Sequence, residues 1–526
     1  MNKKLLTAGA ILCCSVVGLS GCKKGKSERQ LDLRNLYFSS WDGSDPYTDV
    51  IEKKFDVEIK PSSYDYNSWD TQVAGAVQGN NLGDVFHFDL ESFNFGNSYK
   101  EWAEGGVIKA LPDDLSKWPH VKNIIEKASN IERLKINGHI YGLPLIYNQN
   151  DTTKDFSSFT YVYRRDWLRD IDPNLVHEDD VYTWEEFLNI IDKFGELPEV
   201  VAGNDCAIGD VSWGFPSLTN FYKDSPHCYS VDGEGRVVNA FTTEGYKSGL
   251  VKTRELVGAG KYFDQVTNSQ NTHAYDQFKG GHMGIYYENL SLSNYSTLRK
   301  DIKKNNSGTT EAKLNDRTAI MRVKGPDGKF HLEGSENWFS MTFFNADISD
   351  AKQEKILDIL EYLLGEEGTN LAIYGKLNQD YFIDENGDVE LIPDSWTKKI
   401  ETGEYATKIN GAKYLREMIT LNNDTTEFDP FTDQSSYEIV KKWQNDMKAA
   451  REAGQLVTFQ EPAYIKWLST NLKDSNTSKL IKEGNDFAMN FCYGVAGFGS
   501  IDAYVGQFNT AKWSETIAEV NRAIGK

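Results

Sequence analysis

The spacing of apolar and polar positions near the start of the chain changes from one period to another and back. Leu36 to Trp41 is a short apolar and aromatic run that reads as a strand. Asp45 then stands as a candidate N-cap and Pro46 as a first helical residue, followed by apolar positions at Tyr47, Val50, Ile51 and Phe55, the spacing of an amphipathic helix. Val57 to Lys60 alternates as a second strand, Ser68 opens a helix through Trp69, Val73 and Val77, and Asp84 to Asp89 reads as a third strand. The order β-α-β-α-β predicts a parallel sheet with covering helices. In such sheets ligands bind at the carboxyl ends of the strands, which singles out the loops after Trp41 and after Phe88.

Further along, Thr183-Trp184-Glu185-Glu186 is a capping box, with Trp184, Phe187, Leu188 and Ile191 forming the apolar stripe of the helix it starts. Ile356, Ile359, Leu360 and Leu363 repeat that spacing, and Gly365 is placed to end the helix in a left-handed turn. Asp232-Gly233-Glu234-Gly235, Asp327-Gly328 and Asn386-Gly387 are hairpin signals. Helices and short strand pairs therefore mix in the second part of the chain.

The first residues follow a different plan. Lys3 and Lys4 precede an apolar run from Leu5 to Leu19, which at about fifteen residues is short for a membrane span and has the form of a secretory signal. Leu19-Ser20-Gly21-Cys22 resembles the lipobox of bacterial lipoproteins, which implies cleavage before Cys22 and diacylglyceryl modification of its thiol. Two or three acyl chains anchor stably where one binds only marginally. Residues 1–21 are thus expected to be a signal peptide and 22–31 a flexible polar tether, with the body held at the outer face of the cell membrane.

With 57 basic against 78 acidic residues, the formal net charge of −21 makes nucleic acid and anionic lipid surfaces poor partners and suits a soluble monomer. Cys206, Cys228 and Cys492 remain after Cys22, an odd number at wide spacing that is no disulfide framework; a Cys206 to Cys228 bridge and free buried thiols both stay open. The eight histidines show neither the paired helical spacing of a zinc enzyme nor a His-rich tract, so neither metal nor cofactor is expected. Asp384, Asn386, Asp388 and Glu390 alternate oxygens, but they lack the length and closing glutamate of a calcium loop and read as a hairpin.

Several segments, taken in order, resemble family 1 extracellular solute-binding proteins, the substrate-binding lipoproteins of carbohydrate ABC transporters, especially their larger branch. Asn81-Leu82-Gly83-Asp84-Val85 is similar to the family's "gd.PDv", without its proline, and Asn137-Gly138-His139-Ile140-Tyr141-Gly142-Leu143-Pro144 to "nGkiYglP". Tyr163-Arg164-Arg165-Asp166-Trp167-Leu168 with Thr183-Trp184-Glu185-Glu186-Phe187 resembles "yRkDwL…TWdEf", and Phe278-Lys279-Gly280-Gly281-His282-Met283 resembles "F..Gk.am". The resemblance implies an α/β periplasmic-binding-protein type II-like fold. Two lobes would be joined by three crossings near 143–148, 281–287 and 337–343, with residues 32–145 plus 283–340 in the first lobe and 146–282 plus 341–526 in the second. It also implies hinge closure on a sugar or oligosaccharide, read by permease subunits of an ABC importer.

Sugars present apolar CH faces and directed hydroxyls, so aromatic platforms paired with carboxylates are the side chains to look for. Trp41 and Asp42 follow the expected first strand, Asp89 ends the third, and Trp213 lies in a loop with no helical or alternating frame. Tyr286, Tyr287 and Glu288 fall at the second expected crossing, and Trp338 at the third. Trp167, Trp184, Trp443 and Trp513 sit in helical stripes and are left to packing. A peptide receptor of the same fold is the stronger alternative. A secreted glycosidase, which needs two carboxylates at a set separation, and a surface adhesin without a cleft are weaker ones. No catalytic residue is assigned.

Overall fold

The computed structural model describes residues 28–38, 41–65, 68–89, 95–129, 131–146, 157–201, 205–210, 216–222, 229–263, 273–306, 308–334, 336–385, 387, 389–392, 410–421, 433–459, 477–509, 511–523 and 525–526. The lipidation candidate Cys22, the loop containing Trp213, and Cys228 lie outside them.

The chain opens with Gln30–Arg34 (β1), Glu58–Ser62 (β2) and Val85–Asp89 (β3), separated by the helices Thr48–Phe55 and Trp69–Gln78. In β1 the two leucines, Leu31 and Leu33, are buried and the flanking polar residues are not. A hairpin of Lys135–Ile136 (β4) and His139–Ile140 (β5) precedes Leu143–Ile146 (β6). The next strands are Phe159–Tyr163 (β7), Val181–Tyr182 (β8), Cys206–Asp210 (β9), the hairpin Tyr229–Val231 (β10) and Val237–Asn239 (β11), Met283–Asn289 (β12) and Ala319–Val323 (β13). Phe330–Glu333 (β14), Trp338–Phe344 (β15), the hairpin Tyr381–Ile383 (β16) and Val389–Leu391 (β17), and Leu456–Phe459 (β18) complete the set.

Two five-stranded sheets result, one in the order β2-β1-β3-β15-β6 and the other β8-β13-β7-β12-β9, while β14 pairs with β18. The first sheet packs with the helices Pro119–Lys127, Asp350–Leu364, Glu366–Ile373 and Gly411–Arg416 around one core that includes Leu31, Val85, Phe343, Leu360 and Ile419. The second sheet is covered on both faces, by one cluster around Tyr286, Leu298 and Trp443 and another around Tyr161, Phe187 and Ile285. A smaller core of Tyr246, Leu250, Phe491, Tyr504 and Trp513 joins the last helices to the β10–β11 hairpin.

The expected parallel β-α-β-α-β start is present: β1 pairs parallel with β2 and with β3. Its first strand lies earlier than the apolar run suggested. Leu36–Phe38 forms a 3-10 turn instead, and Gln30 and Leu31, expected in the tether, belong to β1. Asp45 does cap the first helix, accepting hydrogen bonds from Tyr47 N and Thr48 N at 2.9 and 3.0 Å. The capping box at Thr183 and Glu186 is fully formed. Gly365, by contrast, is extended at φ −76° and ψ 169°, because the chain starts another helix at Glu366.

Sheet membership corrects the expected lobe boundaries. β12 and β13, within 283–340, pair with β7 in the second sheet. β15 and everything from it to Ile419 pack with the first. The segment 281–287 is therefore no crossing: β12 is buried on both faces inside the second sheet, between β7 and β9. The chain passes between sheets after Ile146, between Glu333 and Trp338, and after Leu421.

Candidate ligand-binding cleft

Strand directions define one functional edge on each sheet. In the first, β1, β2 and β3 run parallel, β15 runs against β3, and β6 against β15. The carboxyl ends of β1, β2, β3 and β6 therefore share an edge with the amino end of β15 at Trp338. In the second, β9 and β12 run parallel while β7 opposes both β12 and β13. Asp210, Asn289 and Val323 thus end at the edge where β7 begins with Phe159.

The crossings join these two edges to each other. Trp338 pairs with Ile146, Ile146 N donates to Ile419 O at 3.1 Å, and Leu421 N donates to Ile146 O at 2.8 Å, so the three departures lie side by side. On the other sheet Ser157 N donates to Glu333 O at 2.8 Å, and Leu290 N to Ser158 O at 3.0 Å. Between Glu333 and Trp338 the chain can span at most about 17 Å. The crossings thus leave both sheets from their carboxyl edges, which is where a ligand cleft belongs in folds of this kind.

On the first edge Asp42 is exposed on the loop after β1, its carboxylate accepting from Ser44 N at 2.9 Å. Asp89 ends β3 opposite Ser340; its side chain lies outside the described set. His87 is fully buried beneath this edge, 2.7 Å from the Ser340 hydroxyl and 5.0 Å from the Trp69 ring. Burial pushes its pKa down to about 3, so the imidazole is neutral.

Trp41 is corrected from platform to packing residue. It is 4% exposed, its indole N–H donates to Asp45 Oδ2 at 2.8 Å, and its ring stacks on Tyr414 at 5.6 Å. The 3-10 turn after β1 swings the indole inward, where Phe38 meets it edge-on. Trp338 is corrected in the same way. It is 1% exposed and donates to Ser129 O at 2.8 Å, while Asn337 beside it accepts from Ser129 N and donates to Lys127 O. These contacts root the hinge in the first core.

On the second edge Tyr286 and Tyr287 point to opposite faces of a sheet covered on both, so neither becomes free. Tyr286 packs on Phe278 and its hydroxyl donates to the Glu288 carboxylate. Glu288 is half-buried, accepts from Asn289 N at 2.9 Å, and is held above the usual carboxylate range by burial. Tyr287, 5% exposed, stacks on the half-buried Phe159 at 5.8 Å and accepts from Asn220 Nδ2 at 2.5 Å. Asp210 accepts from Ser217 N at 3.0 Å and from the Tyr262 hydroxyl; burial raises its pKa to about 6.

Phe159, Asp210 and Asn220 went unread in the sequence. Asp210 ends a strand and could have been found as Asp89 was; Asn220 sits in a 3-10 turn, Ser217–Phe221, that carries no spacing signal. Asp42 is exposed at the first edge, and Glu288 and Phe159 are half-buried at the second. The expected hairpin at Asp384 to Glu390 forms as β16–β17. Among the described residues no three of His, Cys, Asp and Glu are grouped to hold a metal ion, and no helix is long and apolar enough to cross a membrane.

A family model described as bacterial extracellular solute-binding protein matches residues 47–372. A search of curated proteins finds no match. Among solved structures, an extracellular solute-binding protein from Bifidobacterium longum subsp. infantis aligns with TM-score 0.64 at 15% identity, over 94% of this chain and 97% of that one. An HMO-binding, ABC-transporter-associated solute-binding protein from Bifidobacterium longum infantis gives 0.63 at 15%, over 95% and 99%. The Streptococcus pneumoniae substrate-binding protein FusA in complex with kestose gives 0.62 at 14%, over 94% and 98%. The matched span holds all of the second sheet, the first sheet except β1, and two of the three crossings, and the chain belongs to the bacterial extracellular solute-binding protein family.

Proposed function

We propose that this protein captures a sugar or oligosaccharide between its two sheets, closes on it by rotation about the three-stranded hinge, and presents it to the permease of an ABC importer. The single observation that carries the reading is that all three crossings leave the two sheets from their carboxyl edges, where the half-buried Phe159 stacks over Tyr287. The structural neighbours described as HMO-binding and as bound to kestose support the substrate class. A lipid anchor at Cys22 would keep the protein at the outer face of the membrane, as the lipobox-like Leu19 to Cys22 suggests. Binding, with no reaction catalysed, is the activity.

The test is a thermal-shift series on the soluble body beginning after Cys22, with mono- and oligosaccharides in one arm and short peptides in the other. A ligand at 100 times its Kd stabilises by about 2.7 kcal/mol, which moves the transition visibly. A shift with one glycan class supports the reading. A shift with peptides alone replaces sugar by peptide, and hydrolysis of any glycan overturns it. For the anchor, a Cys22→Ala chain that still labels with fatty acid would refute lipidation there.

A further inference from the structure

Beneath the rim of the second sheet lies a cavity of about 20 Å³, lined among others by Phe159, Asn220, Tyr287 and His331. Two of these residues bring buried atoms that have no hydrogen-bond partner, Asn220 Oδ1 and His331 Nδ1. Both atoms are acceptors. Asn220 is 4% exposed and donates one amide hydrogen to the Tyr287 hydroxyl, while its carbonyl oxygen has no partner. His331 Nε2 lies 2.9 Å from Asp327 Oδ1, so the ring hydrogen sits on Nε2 and Nδ1 presents a lone pair.

Two orphaned acceptors on one small cavity are costly, about 1–3 kcal/mol each if nothing satisfies them. A single water resolves both. A site for one water needs roughly 10–15 Å³ and two to four polar partners, and water brings two hydrogens to two acceptors. A cation would instead share the cavity with the Arg322 guanidinium that also lines it, a like charge that water does not bring.

We propose that the cavity is a binding site for one structural water, which donates to Asn220 Oδ1 and to His331 Nδ1 and so bridges the rim to β14. The bridge matters because of what each end holds. Asn220 fixes Tyr287, the rim tyrosine, while His331 belongs to β14, the strand whose last residue, Glu333, accepts from Ser157 N as the chain leaves for the first sheet. The water thus fastens the rim of the second sheet to the root of the hinge, so that the two move as one body.

Crystals of the body diffracting to about 2 Å or better should hold one fully occupied water within about 3.2 Å of both atoms. The same site should lack that water in crystals of His331→Phe, which keeps the ring volume and removes the acceptor. Should that variant fail to fold, oxygen-17 magnetic relaxation dispersion on Asn220→Leu and on the wild-type protein should show one fewer long-lived water in the variant. A dry cavity in the wild-type crystal, a water that touches only one of the two atoms, or an unchanged count of long-lived waters would overturn the proposal.

Discussion

Lys352 and Asp84 form a buried ion pair whose removal can be worked through. The ammonium lies 2.9 Å from Asp84 Oδ2 and both side chains are 4% exposed. The same oxygen accepts from Asp32 N at 2.8 Å, so the pair ties the helix Asp350–Leu364 to the start of β3 and to β1. Lys352 stands in the first turn of its helix, where the helix dipole disfavours a cation. At an effective dielectric of about 20 the attraction at this distance is about 6 kcal/mol, most of which desolvation of the two charges cancels. Breaking the pair is another matter, because the survivor stays buried. Lys352→Met should destabilise by about 3–5 kcal/mol, leaving the carboxylate with one backbone donor. Asp84→Asn should cost about as much, whereas the double variant should cost about 1–2 kcal/mol, well below the sum. Urea unfolding of the four proteins gives the cycle. Additive single costs, or a Lys352→Met protein within about 1 kcal/mol of wild type, would refute the argument.

Four other outcomes follow. Asp210, raised from 3.8 to about 6 by burial, binds its proton more tightly folded than unfolded, so its contribution to stability is present at low pH and declines as the pH rises from about 4 to about 6. Relative to Asp210→Asn, the wild type should therefore lose up to about 3 kcal/mol between pH 4 and pH 7 in denaturant titrations; a pH-independent difference would count against it. Arg299 is 1% exposed and bonds Asn315, Thr318 and Glu311, with Asp433 at 3.4 Å; Arg299→Met should cost about 3 kcal/mol or more by the same assay. On the rim, Phe159→Ala should weaken glycan binding about tenfold in calorimetry, while Trp41→Phe should leave affinity unchanged and lower stability by about 1 kcal/mol through the lost bond to Asp45.

How far the sequence could be read depended on the range of the forces concerned. Local signals held: the capping box at Thr183 to Glu186, the alternation in β2, and the Gly387 hairpin are all set by neighbours a few residues apart. The first strand was misplaced because Leu31 and Leu33 alternate with charges and present a weaker signal than the aromatic run that follows, which turned out to be core around a 3-10 turn. The lobe boundaries failed for a longer-range reason. Whether β12 or β15 joins a given sheet is decided by partners such as Tyr161 and Phe88, far away in sequence, and no periodicity in the strand itself carries that information. The same holds for the site. Trp41 and Trp338 looked free of helical stripes, yet Tyr414 and Ser129, remote in the chain, cover them. Asp42 is exposed and Glu288 half-buried at the carboxyl edges of their sheets, and Phe159 had no local mark to find.

The placement of β15 between β3 and β6 bears on how the molecule is made. Phe86 sits opposite Phe343, and among the described strands β6 pairs with β15 alone, at Trp338, Met341 and Thr342. As the chain emerges from its amino end, β3 and β6 must wait through all of β7 to β14 before the strand that joins them appears. Until then β3 carries an open apolar edge, the kind of surface on which chains aggregate. A nascent chain halted before Trp338 should thus be a client for chaperones, and a fragment ending there should be insoluble, while one reaching Leu421 has every strand of its first sheet.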